Sequence, residues 1–197
     1  MKKIFTFFLF SIIFLSNINY SYSIEPDIFI QSTVNRAANT LSGNLTREER
    51  IDELKQIAKD TVDITGIGYY SLGSHRKALN KNQLLSYRKV FEEYFLKSFS
   101  SRLAEYTNPE IDVFGKEVLS KNYTIVNSLL KGTSERPEVK INWRIYTKNP
   151  NNPLIRDLII EGLSLARTQK EEFSSILSSN DEDINALFSA MKEFTNK

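Results

Sequence analysis

Asn80 to Pro109 reads NKNQLLSYRKVFEEYFLKSFSSRLAEYTNP, and Glu110 to Tyr146 continues as EIDVFGKEVLSKNYTIVNSLLKGTSERPEVKINWRIY. The hydrophobic period changes between these two stretches, and that change decides the fold. In the first, Leu84, Tyr87, Phe91, Phe95, Phe99 and Leu103 recur at three- and four-residue steps, with Tyr94 and Tyr106 beside them. That spacing lines one side of a long helix. Asn80 and Gln83 suit its N-terminal cap, and Asn108-Pro109 ends it. In the second stretch the period is two. Ile111, Val113 and Val118 mark a strand with an irregularity at Gly115. Tyr123, Ile125, Asn127 and Leu129 alternate against Thr124, Val126, Ser128 and Leu130, so both faces carry apolar groups. Val139, Ile141, Trp143 and Ile145 alternate with Lys140, Asn142, Arg144 and Tyr146, the pattern of a strand buried on one face.

The flanks extend the pattern. Lys148 to Pro153 is a turn, and a fourth strand runs through Leu154, Arg156, Leu158 and Ile160. Short connections between successive strands favour an antiparallel meander. Ser164 to Leu177 and Ile184 to Phe194 return to helix, the latter preceded by Asn180 and Asp181. Upstream, Ile28 to Leu41 is helical. Thr46 and Glu49 form a capping box ahead of a stripe of Ile51, Leu54, Ala58 and Val62, which Gly66 and Gly68 interrupt. The fold class is α+β: N-terminal helices, a curved four-stranded antiparallel sheet, and C-terminal helices packed back. An aromatic helix across such a sheet makes either a filled core or a cone with an apolar cavity, and the pattern fits both.

Lys2 and Lys3, then the twelve-residue apolar run Ile4 to Leu15 and the small residues of Ser21-Tyr22-Ser23, read as a secretory signal peptide over residues 1–23. The run is shorter than the roughly eighteen residues of a membrane span. Removing 23 of the 197 residues leaves 174, one domain over residues 24–197. With no Cys, disulfides and a lipoprotein anchor are excluded. The formal charge of +2 falls to about zero once Lys2 and Lys3 are removed, which argues against nucleic acid and against anionic membrane surfaces.

Catalytic chemistry has little to stand on. The chain has one His and no zinc motif or nucleophile elbow, so no catalytic residue, metal or cofactor is expected. His75 reads as a surface or interface residue. Asp157 and Glu161, four apart on a strand, read as an exposed polar edge. Thirteen Phe and nine Tyr are more than a core alone needs.

Leu72-Gly73-Ser74-His75-Arg76, then Gln83, then Phe91-Glu92-Glu93-Tyr94-Phe95, resembles the MlaC-like periplasmic phospholipid-binding proteins, also called toluene-tolerance auxiliary proteins. Asp157-Leu158-Ile159-Ile160-Glu161-Gly162-Leu163-Ser164-Leu165 is similar to that family's strand ending in an acid-Gly-apolar-Ser turn. Thr168 to Phe173 and Asp183 to Leu187 continue the likeness. Pro153, His75 and Asp181-Glu182-Asp183 depart from the family pattern, where a tryptophan, a bulky aromatic and a glycine are usual.

The resemblance implies an NTF2-like sheet with helical additions, enclosing an apolar cavity for phospholipid acyl chains. It implies a monomeric periplasmic carrier, not an enzyme. Such a carrier moves lipid between an outer-membrane lipoprotein complex and an inner-membrane ABC transporter with its MCE-domain ring, and so maintains outer-membrane lipid asymmetry. Two acyl chains hold about thirty methylenes at ~0.8 kcal/mol each, so crossing water unescorted is prohibitive. The expected lipid-binding wall is Phe91, Tyr94, Phe95 and Phe99 on the helix, with Ile125, Ile141, Trp143 and Ile145 on the sheet and Leu158 and Ile160 on the fourth strand. Arg76 or Lys77 would meet the headgroup. An NTF2-like enzyme working through a buried acid, or an exported structural adaptor with a filled core, are the alternatives.

Overall fold

The computed structural model describes residues 23–197 except Glu135. The expected signal peptide therefore lies almost wholly outside the described residues. Four helices come first: α1 (Pro26–Ser42), α2 (Arg47–Thr61), α3 (Ile64–Leu72), a 3-10 turn (Gly73–Ala78) and α4 (Lys81–Leu103). The strands follow as β1 (Ile111–Ser120), β2 (Tyr123–Leu130), β3 (Val139–Tyr146), β4 (Leu154–Ile160) and β5 (Leu163–Ser164). Then come α5 (Leu165–Ser178) and α6 (Ile184–Asn196). Among the described residues, no helix is long and apolar enough to cross a membrane.

Both expected capping boxes form. The Glu49 amide donates to Thr46 Oγ1 at 3.2 Å while the Thr46 amide donates to Glu49 Oε2 at 2.8 Å. Asn80 and Gln83 exchange the same pair of bonds at 3.0 and 2.9 Å. Gly66 and Gly68, however, do not break a helix. They lie inside α3, whose N-cap Asp63 accepts from the Gly66 amide at 2.8 Å. The reason is close approach: a Cβ on Gly68 would sit 2.7 Å from the Phe91 ring, and the Tyr87 hydroxyl donates to the Gly68 carbonyl at 2.9 Å. Each glycine costs about 1 kcal/mol of helix propensity, which tight packing of α3 on α4 offsets.

The strands form an antiparallel meander in the order β1-β2-β3-β4-β5, a curved and open sheet. The expected irregularity in β1 is a register shift between Val113 and Gly115. Five strands replace the expected four, because Glu161 and Gly162, at φ 48° and 85°, turn the chain tightly enough for Ile160 to pair with Leu163. Residues directly opposite in an antiparallel ladder share a face. Val126, Trp143 and Leu158 are aligned, as are Ser128, Ile141 and Ile160. Ile125 is aligned with Arg144, and Arg144 with Asp157, so Ile125 faces away from Trp143 and does not share its wall as expected.

One apolar cluster joins the Trp143 face to Ile30 and Val34 of α1, Ile67 of α3, Tyr87 and Phe91 of α4, Phe173 of α5 and Leu187 of α6. A smaller one gathers Leu41, Leu54, Ile57 and Ala104. Lys116 of β1 ion-pairs with Glu25 and Asp27, tying the start of α1 to the sheet edge. The hydrogen bond from Lys116 holds the Asp27 carboxyl below its usual range.

Candidate functional site

Two contacts fix how α4 lies along the sheet. At one end Asp63, capping α3, pairs with Arg156 near the start of β4, and α3 in turn grips Tyr87 and Phe91. At the other, the Arg136 guanidinium in the β2–β3 loop lies 5.0 Å over the ring of Tyr106, just past the end of α4. Phe95 and Phe99 therefore lie toward the β2–β3 loop, and Tyr87 and Phe91 toward α3.

The expected wall divides by burial. Phe91 is 1% exposed, stacked on Tyr87 at 5.6 Å and edge-on to Phe173 at 6.0 Å. Ile141, Trp143 and Ile145 are buried beside it in the main cluster. The Trp143 indole N–H donates to Ser128 Oγ at 2.8 Å, and that hydroxyl donates to the Ile141 carbonyl at 3.1 Å. Tyr94, Phe95 and Phe99 are only half-buried, with Phe95 and Phe99 stacked at 5.7 Å and 9°. The Tyr94 hydroxyl donates to Gln169 at 3.0 Å, and burial raises its pKa. Leu158 and Ile160 are half-buried on the Trp143 face. Ile111, Val113, Leu130 and Val139 share that face and that intermediate burial at the β2–β3 loop end. Sequence reasoning missed these four as site residues, although their alternation is visible once the strand ends are aligned. Side chains fill the middle of the face, and a half-exposed apolar rim opens at the loop end.

At the α3 end the surface changes character. A groove of about 290 Å³ is lined by Gly66, Ile67, Tyr70, Leu119, Tyr123, Arg144, Arg156 and Ala166, among others. Through Gly66, Tyr70 and Arg156 it runs into a shallower depression of about 400 Å³ that adds Tyr69, Gly73, Arg76 and Lys170. The expected headgroup residue Arg76 thus lines this surface, while Lys77 is exposed and is not among its lining residues. Arg156 Nε donates to Asp63 at 2.7 Å, its Nη1 to the Tyr123 oxygen at 2.8 Å, and its guanidinium lies 3.9 Å over the Tyr146 ring. Partial burial works against the Arg156 charge, and the bonds to Asp63 and Tyr123 more than restore it, raising the pKa.

Asp157 is not an exposed edge. It is 3% exposed, accepts from Ser164 Oγ at 2.6 Å and from the Ala166 amide at 3.0 Å, and faces Arg144 at 3.6 Å. Ser164 in turn caps α5 by accepting from the Arg167 amide at 3.1 Å. The acid-Gly-apolar-Ser segment is thus a helix-docking device: the buried carboxylate meets the orphan donors at the start of α5. Each of the two Asp157 oxygens accepts one of these bonds. Glu161 is exposed and accepts from the Lys140 amide at 2.5 Å, and His75 Nδ1 lies against the Glu182 carboxylate. Among the described residues, no cluster of His, Cys, Asp or Glu could hold a metal ion.

An α+β domain with helices on a curved meander, an apolar face partly exposed at the β2–β3 loop end and a cationic groove beside α3 is the class these elements define. A solved structure of the phospholipid-binding protein from Ralstonia solanacearum, in complex with a phospholipid, has the same fold. Its TM-score is 0.73 at 17% identity, covering 88% of this chain and 98% of that one. No curated protein matches the sequence. The family model for MlaC protein matches residues 31–193, and the chain belongs to the MlaC family.

Proposed function

We propose that this chain is a periplasmic phospholipid carrier that moves lipid between the outer and inner membranes and maintains outer-membrane lipid asymmetry. It is a binding protein and not an enzyme. The observation that carries this reading is the single apolar face running from buried Phe91 and Trp143 to the half-exposed rim of Phe95, Phe99, Leu158 and Ile160. Membership of the MlaC family, and the phospholipid held by the Ralstonia protein of the same fold, support it. Acyl chains part the α4 rings from the sheet, so hydrocarbon replaces hydrocarbon and the net transfer energy stays small. Residues 1–23 direct export and are removed. The partners are an outer-membrane lipoprotein complex and an inner-membrane ABC transporter with its MCE-domain ring, and the carrier works as a monomer.

Organic extraction of protein purified from its native compartment tests the reading. A carrier releases phospholipid in stoichiometric amount. Protein that releases none, and takes up none from vesicles, is not one.

A further inference from the structure

The cations of the α3–β4–α5 groove differ in how they are spent. Arg156 is paired with Asp63, and Arg144 faces the buried Asp157. Among the described residues, Arg76 and Lys170 form no ion pair with a carboxylate, and each lies over a tyrosine ring instead, Tyr69 at 5.4 Å and Tyr70 at 5.6 Å. With both carboxylates counted, the groove keeps two uncompensated positive charges beside phenol hydroxyls. Gly73 makes room for one of them. Its φ of 56° and ψ of −128° favour glycine, and a Cβ there would come within 2.9 Å of the Lys170 stem. The bare Gly73 thus lets the Lys170 stem pass close to the turn that leads to Arg76.

The adjoining groove supplies the apolar part. Ile67 and Ala166 are buried there, and Ile67 belongs to the same cluster as Phe91 and Trp143. A cationic depression joined to a groove that reaches the core through Ile67 suits an amphiphile with an anionic end. Length agrees. The eight residues of β2 span roughly 25 Å from the groove end to the β2–β3 loop end, and one bilayer leaflet's hydrocarbon is about 15 Å deep.

We propose that this groove is a phosphate site, with Arg76 and Lys170 as the anion-binding pair. The lipid's phosphate sits beside them, and its chains run past Ile67 and Phe91 toward Phe99. The orientation rests on the phospholipid reading; the anion site does not. Two donors of formal positive charge favour a phosphate ester over its neutral counterpart by roughly tenfold or more.

The test titrates the full mature protein, and an Arg76→Gln/Lys170→Gln double variant, with dioctanoyl phosphatidylglycerol, dioctanoylglycerol and inorganic phosphate. Wild type is expected to bind the phospholipid at least about tenfold more tightly than the diacylglycerol. The variant should lose that preference while binding the diacylglycerol unchanged. A variant that keeps the preference overturns the groove assignment and leaves lipid carriage intact. If wild type binds neither lipid, carriage falls instead, and inorganic phosphate decides the groove. Phosphate binding that the double variant loses supports the site with free phosphate as its occupant, and no phosphate binding by wild type overturns it.

Discussion

Replacing Phe99 with glutamate separates a lipid-lined face from an ordinary core. Phe99 is half-buried and stacks on Phe95 at 5.7 Å. Complete burial of a phenylalanine contributes about 1.5–3 kcal/mol, and an aromatic pair about 0.5–1.5 kcal/mol beyond that. Half of the first with most of the second is about 2 kcal/mol. The new carboxylate can turn to water, so it adds little desolvation penalty of its own. Against a domain stability of about 5–15 kcal/mol the variant stays folded, with its melting temperature lowered by roughly 4–8 °C. The effect on lipid is much larger, because a bound acyl chain would hold the charge away from water; phospholipid per protein should fall by at least roughly tenfold. Circular dichroism melts, together with phosphate analysis of organic extracts, measure both quantities on one preparation. A folded Phe99→Glu protein carrying as much lipid as wild type removes the outer half of α4 from the acyl path. A loss of cooperative melting shows instead that Phe99 is core.

The same substitution at Trp143 should behave in the opposite way. At 9% exposure, with its indole bonded to Ser128, Trp143→Glu creates a cavity costing about 3–5 kcal/mol and buries a charge besides, so no cooperative melt is expected. Trp143→Phe should lose only about 1–2 kcal/mol in denaturant melts, the hydrogen bond and a little volume. Gly68→Ala should cost about 1–3 kcal/mol by pressing on Phe91, and combining it with Phe91→Leu should return part of that loss; simple additivity in the double mutant would show that the two residues do not touch. Burial raises the pKa of Tyr87 and of Tyr94 above the ordinary tyrosine value of 10.0, so both stay protonated in the fold after the unfolded chain has begun to ionise. Stability from this source is complete below pH 10 and lost as pH rises beyond it, and ultraviolet titration should show Tyr87 ionising only with unfolding. A Tyr87→Phe protein that loses stability with the same alkaline profile would exclude Tyr87 as the source.

Elements whose cause is local were legible in the chain. The capping pairs at Thr46 and Asn80, the aromatic run of α4, the irregularity near Gly115 and the strict alternation of β3 each arise from a few neighbouring residues. What escaped depends on partners distant in sequence. Gly66 and Gly68 look like helix breakers until the Phe91 ring and Arg156 are brought against them. Ile125 and Val126 alternate equally well, and only the pairing with Arg144 and Trp143 assigns their faces. Asp157 reads as a surface acid because the donors that justify its burial lie seven and nine residues away, across a turn. The groove is the extreme case. Arg76, Arg156 and Lys170 come from three separated segments, so charge alone could suggest Arg76 but not its companions.

The last helix supplies Leu187 and Met191, at 0% and 2% exposure, to the same cluster that α1 enters through Ile30. Both termini are therefore needed to seal one interior. A chain emerging N-terminus first cannot bury Tyr87 or Phe91 completely until about 190 residues have been released. Until then it lacks the tight packing that resists mechanical threading. Under the proposed export, a chain passed end-on through a narrow pore as it is synthesised would stay pliable during passage and lock only on the far side.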